Sequence, residues 1–167
     1  TFTVTVTPVN DAPLFNTIGN LTVLEDPVPP LQTLSITGVG PGGGADETSQ
    51  SVSFTATSNN TALIPNPTVT GSGATRTLNF TPVANGNGGP VTITVTATDS
   101  GGTTNGGVNT FTQTFTITVT PVNDPPTLNA ITNPAAIFED AGVQTVNFSG
   151  ILAGPAGDYS FAAIRAS

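Results

Sequence analysis

The chain has no cysteine, methionine, tryptophan or histidine, and its only two basic residues, Arg76 and Arg165, leave no lysine. Each absence closes off a class of chemistry. Without histidine there is no imidazole base for a Ser-His-Asp arrangement. Without lysine or cysteine there is neither a Schiff base nor a thiolate nucleophile. Zinc, copper and haem sites lose their preferred ligands. What remains is carboxylates, amides, hydroxyls and backbone carbonyls, the oxygen donors that suit calcium. The lack of cysteine does not fix a redox compartment, but a small extracellular domain without disulfides needs another staple, and a bound metal is one. Ten acids against two bases give a formal charge of −8. That excess argues against nucleic acid, whose phosphates need Lys and Arg, and against an anionic membrane surface. No apolar run approaches the ~18 residues of a membrane span. Neither a signal peptide nor an initiator Met is seen, so the sequence is expected to be a piece of something longer.

Glycine and proline are abundant, at 19 and 15 of 167 residues. Leu, Ile, Val and Phe still make up about a quarter of the chain, above the roughly 20% floor below which charged chains stay unfolded. This is a folded chain with many turns. A long repeat organises it. The run Thr1-Phe-Thr-Val-Thr-Val-Thr-Pro-Val-Asn-Asp-Ala-Pro13 returns 113 positions later as Thr114-Phe-Thr-Ile-Thr-Val-Thr-Pro-Val-Asn-Asp-Pro-Pro126, with 11 of 13 positions identical. Leu24-Glu25-Asp26 pairs with Phe138-Glu139-Asp140, and Thr37-Gly38-Val39 with Ser149-Gly150-Ile151. The expected organisation is the last strand of a preceding repeat at 1–9, a complete repeat at 10–122 and the opening part of another at 123–167. A period this long suits a string of sandwich domains better than a solenoid.

Within the complete repeat, alternation with a period of two dominates. Val91, Ile93, Val95 and Ala97 face one way, and Thr92, Thr94, Thr96 and Thr98 the other. Phe111, Phe115, Ile117 and Val119 alternate with threonines in the same manner. Threonine is β-branched and tolerates water, so it fits the outer face of a half-buried antiparallel strand. Strands are expected at 21–25, 33–38, 51–57, 67–71, 75–81, 90–98 and 110–120, separated by clusters such as Gly40-Pro-Gly-Gly-Gly44 and Asn85-Gly-Asn-Gly-Gly89. No amphipathic helical stretch is seen. The fold class is all-β, a seven-stranded immunoglobulin-like β-sandwich, repeated in tandem. Phe54, Phe80, Phe111 and Phe115 are expected in its core.

Val119-Thr-Pro-Val-Asn-Asp-Pro-Pro126 and its copy at 6–13 resemble the interdomain linker of cadherins. Thr96-Ala97-Thr98-Asp99-Ser100-Gly101 resembles the segment that precedes the last cadherin strand. Nearly all of the chain is similar to bacterial cadherin-like tandem repeats of very large secreted or surface proteins. The resemblance implies rods of repeats with calcium at their junctions, serving adhesion or matrix building. The chain departs from true cadherins in lacking an Asp-Arg-Glu-like segment in mid-repeat and one linker acid. One calcium per junction, two at most, is therefore the expectation.

The acids cluster, and the topology of a sandwich suggests why. The linker residues Asn10 and Asp11 lie at one end of the complete repeat. The loop holding Asp46 and Glu47 should return to that end, and Asp99 closes the sixth strand there. Two or three carboxylates with amide and backbone oxygens would make the six to eight ligands of a calcium site. At the other end, Glu25 closes the first strand near Asn123 and Asp124, and the following repeat adds Asp158. Asp26 and Asp140 are assigned to solvent. Asn-Asp before Pro is also ordinary turn chemistry. The sequons at Asn20, Asn59, Asn79 and Asn147 are weak signals in so Asn- and Thr-rich a chain.

The leading expectation is an extracellular, bacterial-surface structural or adhesive module. Its partners would be neighbouring repeats of the same or an identical chain, and a protein or glycan ligand on a surface, with no nucleic acid and no membrane insertion. Two alternatives stand beside it. In one, Thr1–Thr7 adds as a strand to another copy and builds a filament. The other is a carbohydrate-binding module, disfavoured because Tyr159 is the only tyrosine and tryptophan is absent. An enzyme is not expected, because the acids sit at domain ends without a cleft.

Overall fold

The computed structural model describes residues 1–154. The chain divides into two compact units, Thr1–Thr120 and Pro121–Ser167. The first is a β-sandwich. Its strands are β1 (Leu21–Leu24), β2 (Gln32–Thr37), β3 (Val52–Ser58), β4 (Thr68–Thr70), β5 (Thr75–Phe80), β6 (Gly88–Asp99) and β7 (Thr110–Thr120). One sheet has the order β1-β7-β6-β3 and the other β2-β5-β4. All pairings are antiparallel except β1 with β7, which run parallel in the register Leu21 to Ile117. The seven segments coincide with the alternating stretches to within a few residues. The only described helical turn is the 3-10 turn Thr104–Gly106 in the β6–β7 connection. Among the described residues, no helix is long and apolar enough to cross a membrane.

The alternation explains the layers. Val91, Ile93, Val95 and Ala97 of β6, with Phe115, Ile117 and Val119 of β7, are buried and meet Ile36, Leu78 and Phe80 of the second sheet. The threonines between them face outward, where Thr96 and Thr112 share a hydroxyl hydrogen bond of 3.0 Å across the β6–β7 pair. Leu63 and Ile64, on the β3–β4 connection, close the core from one side. Phe80 and Phe115 are buried as expected. Phe54 and Phe111 instead pack at the core's margin, edge-on to Phe15 at ring-centroid distances of 5.5 and 5.2 Å. Phe15 belongs to the irregular linker segment, so no periodicity announces it, yet it is buried.

Thr1–Val9 forms no strand, and Phe2, Val4 and Val6 are exposed. A strand pattern needs a partner edge to satisfy its backbone, and no described strand pairs with this segment.

The second unit repeats one hydrogen-bond pattern of the first. In the first unit Leu14 and Gly40 exchange backbone hydrogen bonds of 2.9 and 3.1 Å, and Asn16 N donates to Thr37 O at 2.9 Å. In the second, Thr127 and Leu152 exchange bonds of 2.9 and 3.2 Å, and Asn129 N donates to Ser149 O at 3.0 Å. The side chains of Asn16 and Asn129 each donate to the hydroxyl of the residue opposite, Thr37 and Ser149. Each asparagine also lies over a left-handed glycine, Gly38 at φ 68° or Gly150 at φ 66°, where any Cβ would collide with its amide.

Ile93 is fully buried between the sheets, so Ile93→Ala is expected to cost roughly 2–5 kcal/mol of stability. Thr94→Ala, on the outer face of the same strand, should cost under about 1 kcal/mol. Urea unfolding of the two variants checks this, and equal losses would contradict the assigned faces.

Candidate metal site at the head of the first unit

Three connections meet at one end of the first unit: the linker at Asn10–Pro13, the β2–β3 loop and the β6–β7 loop. Two left-handed glycines shape the β2–β3 loop, Gly42 at φ 95° and Gly43 at φ 47°, conformations that an L side chain rarely adopts. Their lack of Cβ also gives space. A Cβ on Gly42 would strike the backbone carbonyl of Ala12. One on Gly43 would stand 2.7 Å from Glu47 Oε2 and 2.8 Å from Asp11 Oδ2. The loop therefore lets the linker lie against it, with the Asp11 and Glu47 carboxylates facing one small space.

The linker is tied to its own domain from Asn10 onward. Val108 N donates to Asn10 O at 2.9 Å, and Asn10 Nδ2 donates to Val108 O at 2.7 Å and to Asp99 Oδ1 at 3.1 Å. Gln50 Nε2 donates to Asn10 Oδ1 at 2.8 Å. Asp11 N donates to Glu47 Oε1 at 2.5 Å, and Gly101 N to Asp99 Oδ1 at 2.8 Å.

Glu47 is 1% exposed and Asp99 5%. After these bonds Glu47 Oε2, Asp99 Oδ2 and Gln50 Oε1 are buried acceptors with no donor. A buried carboxylate that lacks a counter-charge costs several kcal/mol. Arg76 is engaged elsewhere: it donates to Val52 O at 3.2 Å and to Gly73 O, and lies 5.8 Å from the centre of the Phe54 ring. Negative charge and oxygen donors fit a hard divalent cation; Glu47 and Asp99 are buried, whereas Asp11 is exposed. Asp11, Glu47 and Asp99 do not all come within 4.8 Å of one another.

The structure thus brings together Asn10, Asp11, Glu47 and Asp99. Asp46 is exposed, as Asp11 is, and of the two acids in the β2–β3 loop only Glu47 is buried. Adjacent residues of a tight turn point apart, and here Glu47 takes the inward position. Gln50 joins the group unannounced by its sequence, because it arrives through the turn in which Gln50 N donates to Glu47 O at 2.9 Å.

At the opposite end, Glu25 is fully buried and accepts from Asn87 Nδ2 at 2.9 Å. Asp26, assigned to solvent from the sequence, is half-buried and accepts from Asn85 N at 3.2 Å. The left-handed Asn85, at φ 57°, turns that amide inward. Glu25 and Asp26 belong to a group of carboxylates with oxygens within 4.8 Å of one another that could hold a metal ion. Asp124 and Asn123 fall in the second unit, half-buried and exposed respectively. Asp158 lies outside the described residues.

No protein-family model matches the chain, and no curated protein matches it.

The site rests on the fit of Gly101 against Asn10. A Cβ on Gly101 would collide with Asn10 Oδ1 and stand 2.6 Å from Gln50 Nε2. Gly101→Ala is expected to cost roughly 1–3 kcal/mol as overpacking. Gly19→Ala, where a Cβ meets nothing within 4 Å, should change stability by no more than about 0.5 kcal/mol. The denaturant midpoint at constant slope measures both.

Proposed function

We propose that the chain is a structural module of cadherin-like character, one repeat of a long extracellular surface protein, rigidified by calcium where repeats join. The observation that carries this reading is the pair of buried carboxylates, Glu47 and Asp99, beside the linker, with acceptor oxygens that nothing donates to. Calcium is favoured over other metals because every available donor is oxygen and the chain has neither His nor Cys. The all-β sandwich and the recurrence of one hydrogen-bond set in the second unit support a serial arrangement. The neighbours in that arrangement would be repeats of the same or an identical chain, and adhesion to a protein or glycan surface would be its use. The paucity of aromatic side chains weighs against a carbohydrate-binding module.

Thermal unfolding tests the reading. A cation bound only by the folded state stabilises by about 2.7 kcal/mol at a hundredfold excess over Kd. Millimolar calcium should therefore raise Tm by several degrees, and chelator should reverse the rise. An identical Tm in both conditions would contradict calcium binding.

A second reading is favoured by the exposed Phe2, Val4 and Val6, which lie in a copy of the β7 sequence. In it, Thr1–Thr7 pairs with another copy of the chain by strand addition. Size-exclusion chromatography should then show species that grow with concentration; a strictly monomeric profile would exclude it.

A further inference from the structure

We infer that the free edge of β3 is a latent surface for pairing with a second copy of this chain, and that Arg76 and Asn66 keep it closed. The inference stands apart from the calcium reading, because no candidate metal ligand takes part in it.

Two strands end each sheet of the first unit, β1 and β3 in one, β2 and β4 in the other. β3 is the longest of these edges, at seven residues against four, six and three. Val52–Ser58 carries no charge and no proline, and half-buried Val52, Phe54 and Ala56 alternate with exposed Ser53, Thr55 and Thr57. An uncharged, alternating edge of this kind is a template for another strand.

Backbone alternation decides which groups the edge presents. Asn59 N donates to Thr92 O at 3.0 Å, and Ser51 N, on the same side, donates to Ser100 Oγ at 3.1 Å. Odd-numbered residues of β3 therefore turn their backbone groups to β6, and the amides and carbonyls of Val52, Phe54, Ala56 and Ser58 point off the sheet. Both ends of this row are taken. Arg76 Nη2 donates to Val52 O at 3.2 Å, and Ser58 N donates to Asn66 Oδ1 at 2.8 Å. Arg76 comes from β5 in the opposite sheet, where a bond to Gly73 O and the Phe54 ring, 5.8 Å from its guanidinium carbon, hold it over the edge. In a chain with ten acids, this cation is spent on carbonyls and a ring.

The two caps match the pairing they prevent. Two copies of β3 that used the whole strand would meet antiparallel about a two-fold axis at Thr55, with Val52 of one copy opposite Ser58 of the other. That arrangement needs Ser58 N of one copy to donate to Val52 O of the other. Those are the groups that Asn66 and Arg76 occupy. Phe54 and Ala56 stay open, a stretch too short to hold a strand by itself. The device suits serial domains, in which misassembly between like neighbours is a characteristic failure.

The experiment uses the full chain, with sedimentation velocity over a range of concentrations and amide exchange at Phe54 and Ala56 as the local readout. In the wild type these two amides should exchange quickly at every concentration. The double variant Arg76→Ala, Asn66→Ala should associate at least about tenfold more tightly than the wild type, and its Phe54 and Ala56 amides should become protected as concentration rises. Asn66→Ala alone should shift the same way by a smaller factor, and it carries the test if the double variant does not fold. Asn66→Asp keeps the acceptor for Ser58 N and should behave as the wild type. Adding Thr55→Lys to the double variant should reverse the association, because each lysine would stand opposite its copy. Lysine lowers the magnitude of the net charge, so it would not rescue a variant that merely misfolds and aggregates. Wild-type association that leaves Phe54 and Ala56 fast would agree with a closed edge. The inference is overturned if the cap-removing variants sediment as the wild type does, if Phe54 and Ala56 of the wild type are protected as concentration rises, or if Thr55→Lys leaves the association unchanged.

Discussion

Two carboxylates buried beside a linker, in a chain almost without basic residues, are the constraint on which the head of this domain depends. Glu47 and Asp99 have left water, and each has one oxygen committed to a backbone amide and one with no donor. Desolvation of this kind is tolerated when it is compensated. The compensation we propose is a cation held by oxygens. The left-handed glycines, the amide chain Gln50-Asn10-Asp99 and the close approach of the linker to Gly42 all position donors around that need.

The sandwich makes the convergence possible without any special long-range device. A strand crosses the domain once, so the connections after an even and an odd number of crossings return to opposite ends. The linker, the β2–β3 loop and the β6–β7 loop consequently share one end, and Glu25, at the close of β1, occupies the other with Asp26 and Asn87. Rigid ladders place the loops, and the loops carry the chemistry. The interior contributes no polar group to either end. Its residues, from Ile36 and Leu78 to Ile93 and Ile117, are aliphatic and fully buried.

What the sequence made legible follows from which physics is periodic. Strands β6 and β7 could be read residue by residue because inward Val, Ile and Phe alternate with outward Thr, and the sheet enforces a period of two. The meeting of Asn10, Asp11, Glu47 and Asp99 followed from counting strand crossings. Side-chain direction within a turn has no such period. Asp46 and Glu47 are equivalent in sequence, and only the turn decides that Glu47 enters and Asp46 faces water. Gln50 and Asp26 were hidden for the same reason, since a turn hydrogen bond and the left-handed Asn85 direct what surrounds them. Phe15 was missed because a buried aromatic in an irregular segment has no pattern to betray it. The strand pattern of Thr1–Thr7 shows the reverse limit: alternation states a capacity to pair, and pairing also needs an edge.

Amide hydrogen exchange on the full chain, with and without calcium, tests the central claim most directly, because three amides report on the site itself. Asp11 N donates to Glu47, Gly101 N to Asp99, and Val108 N to Asn10 O. If a cation completes this head, calcium should slow exchange at all three, and by more than at the amide of Ile93 in the middle of β6. Exchange at Asp11, Gly101 and Val108 that is indifferent to calcium would show that the buried carboxylates are compensated in some other way, and the account of the head as a metal site would be wrong.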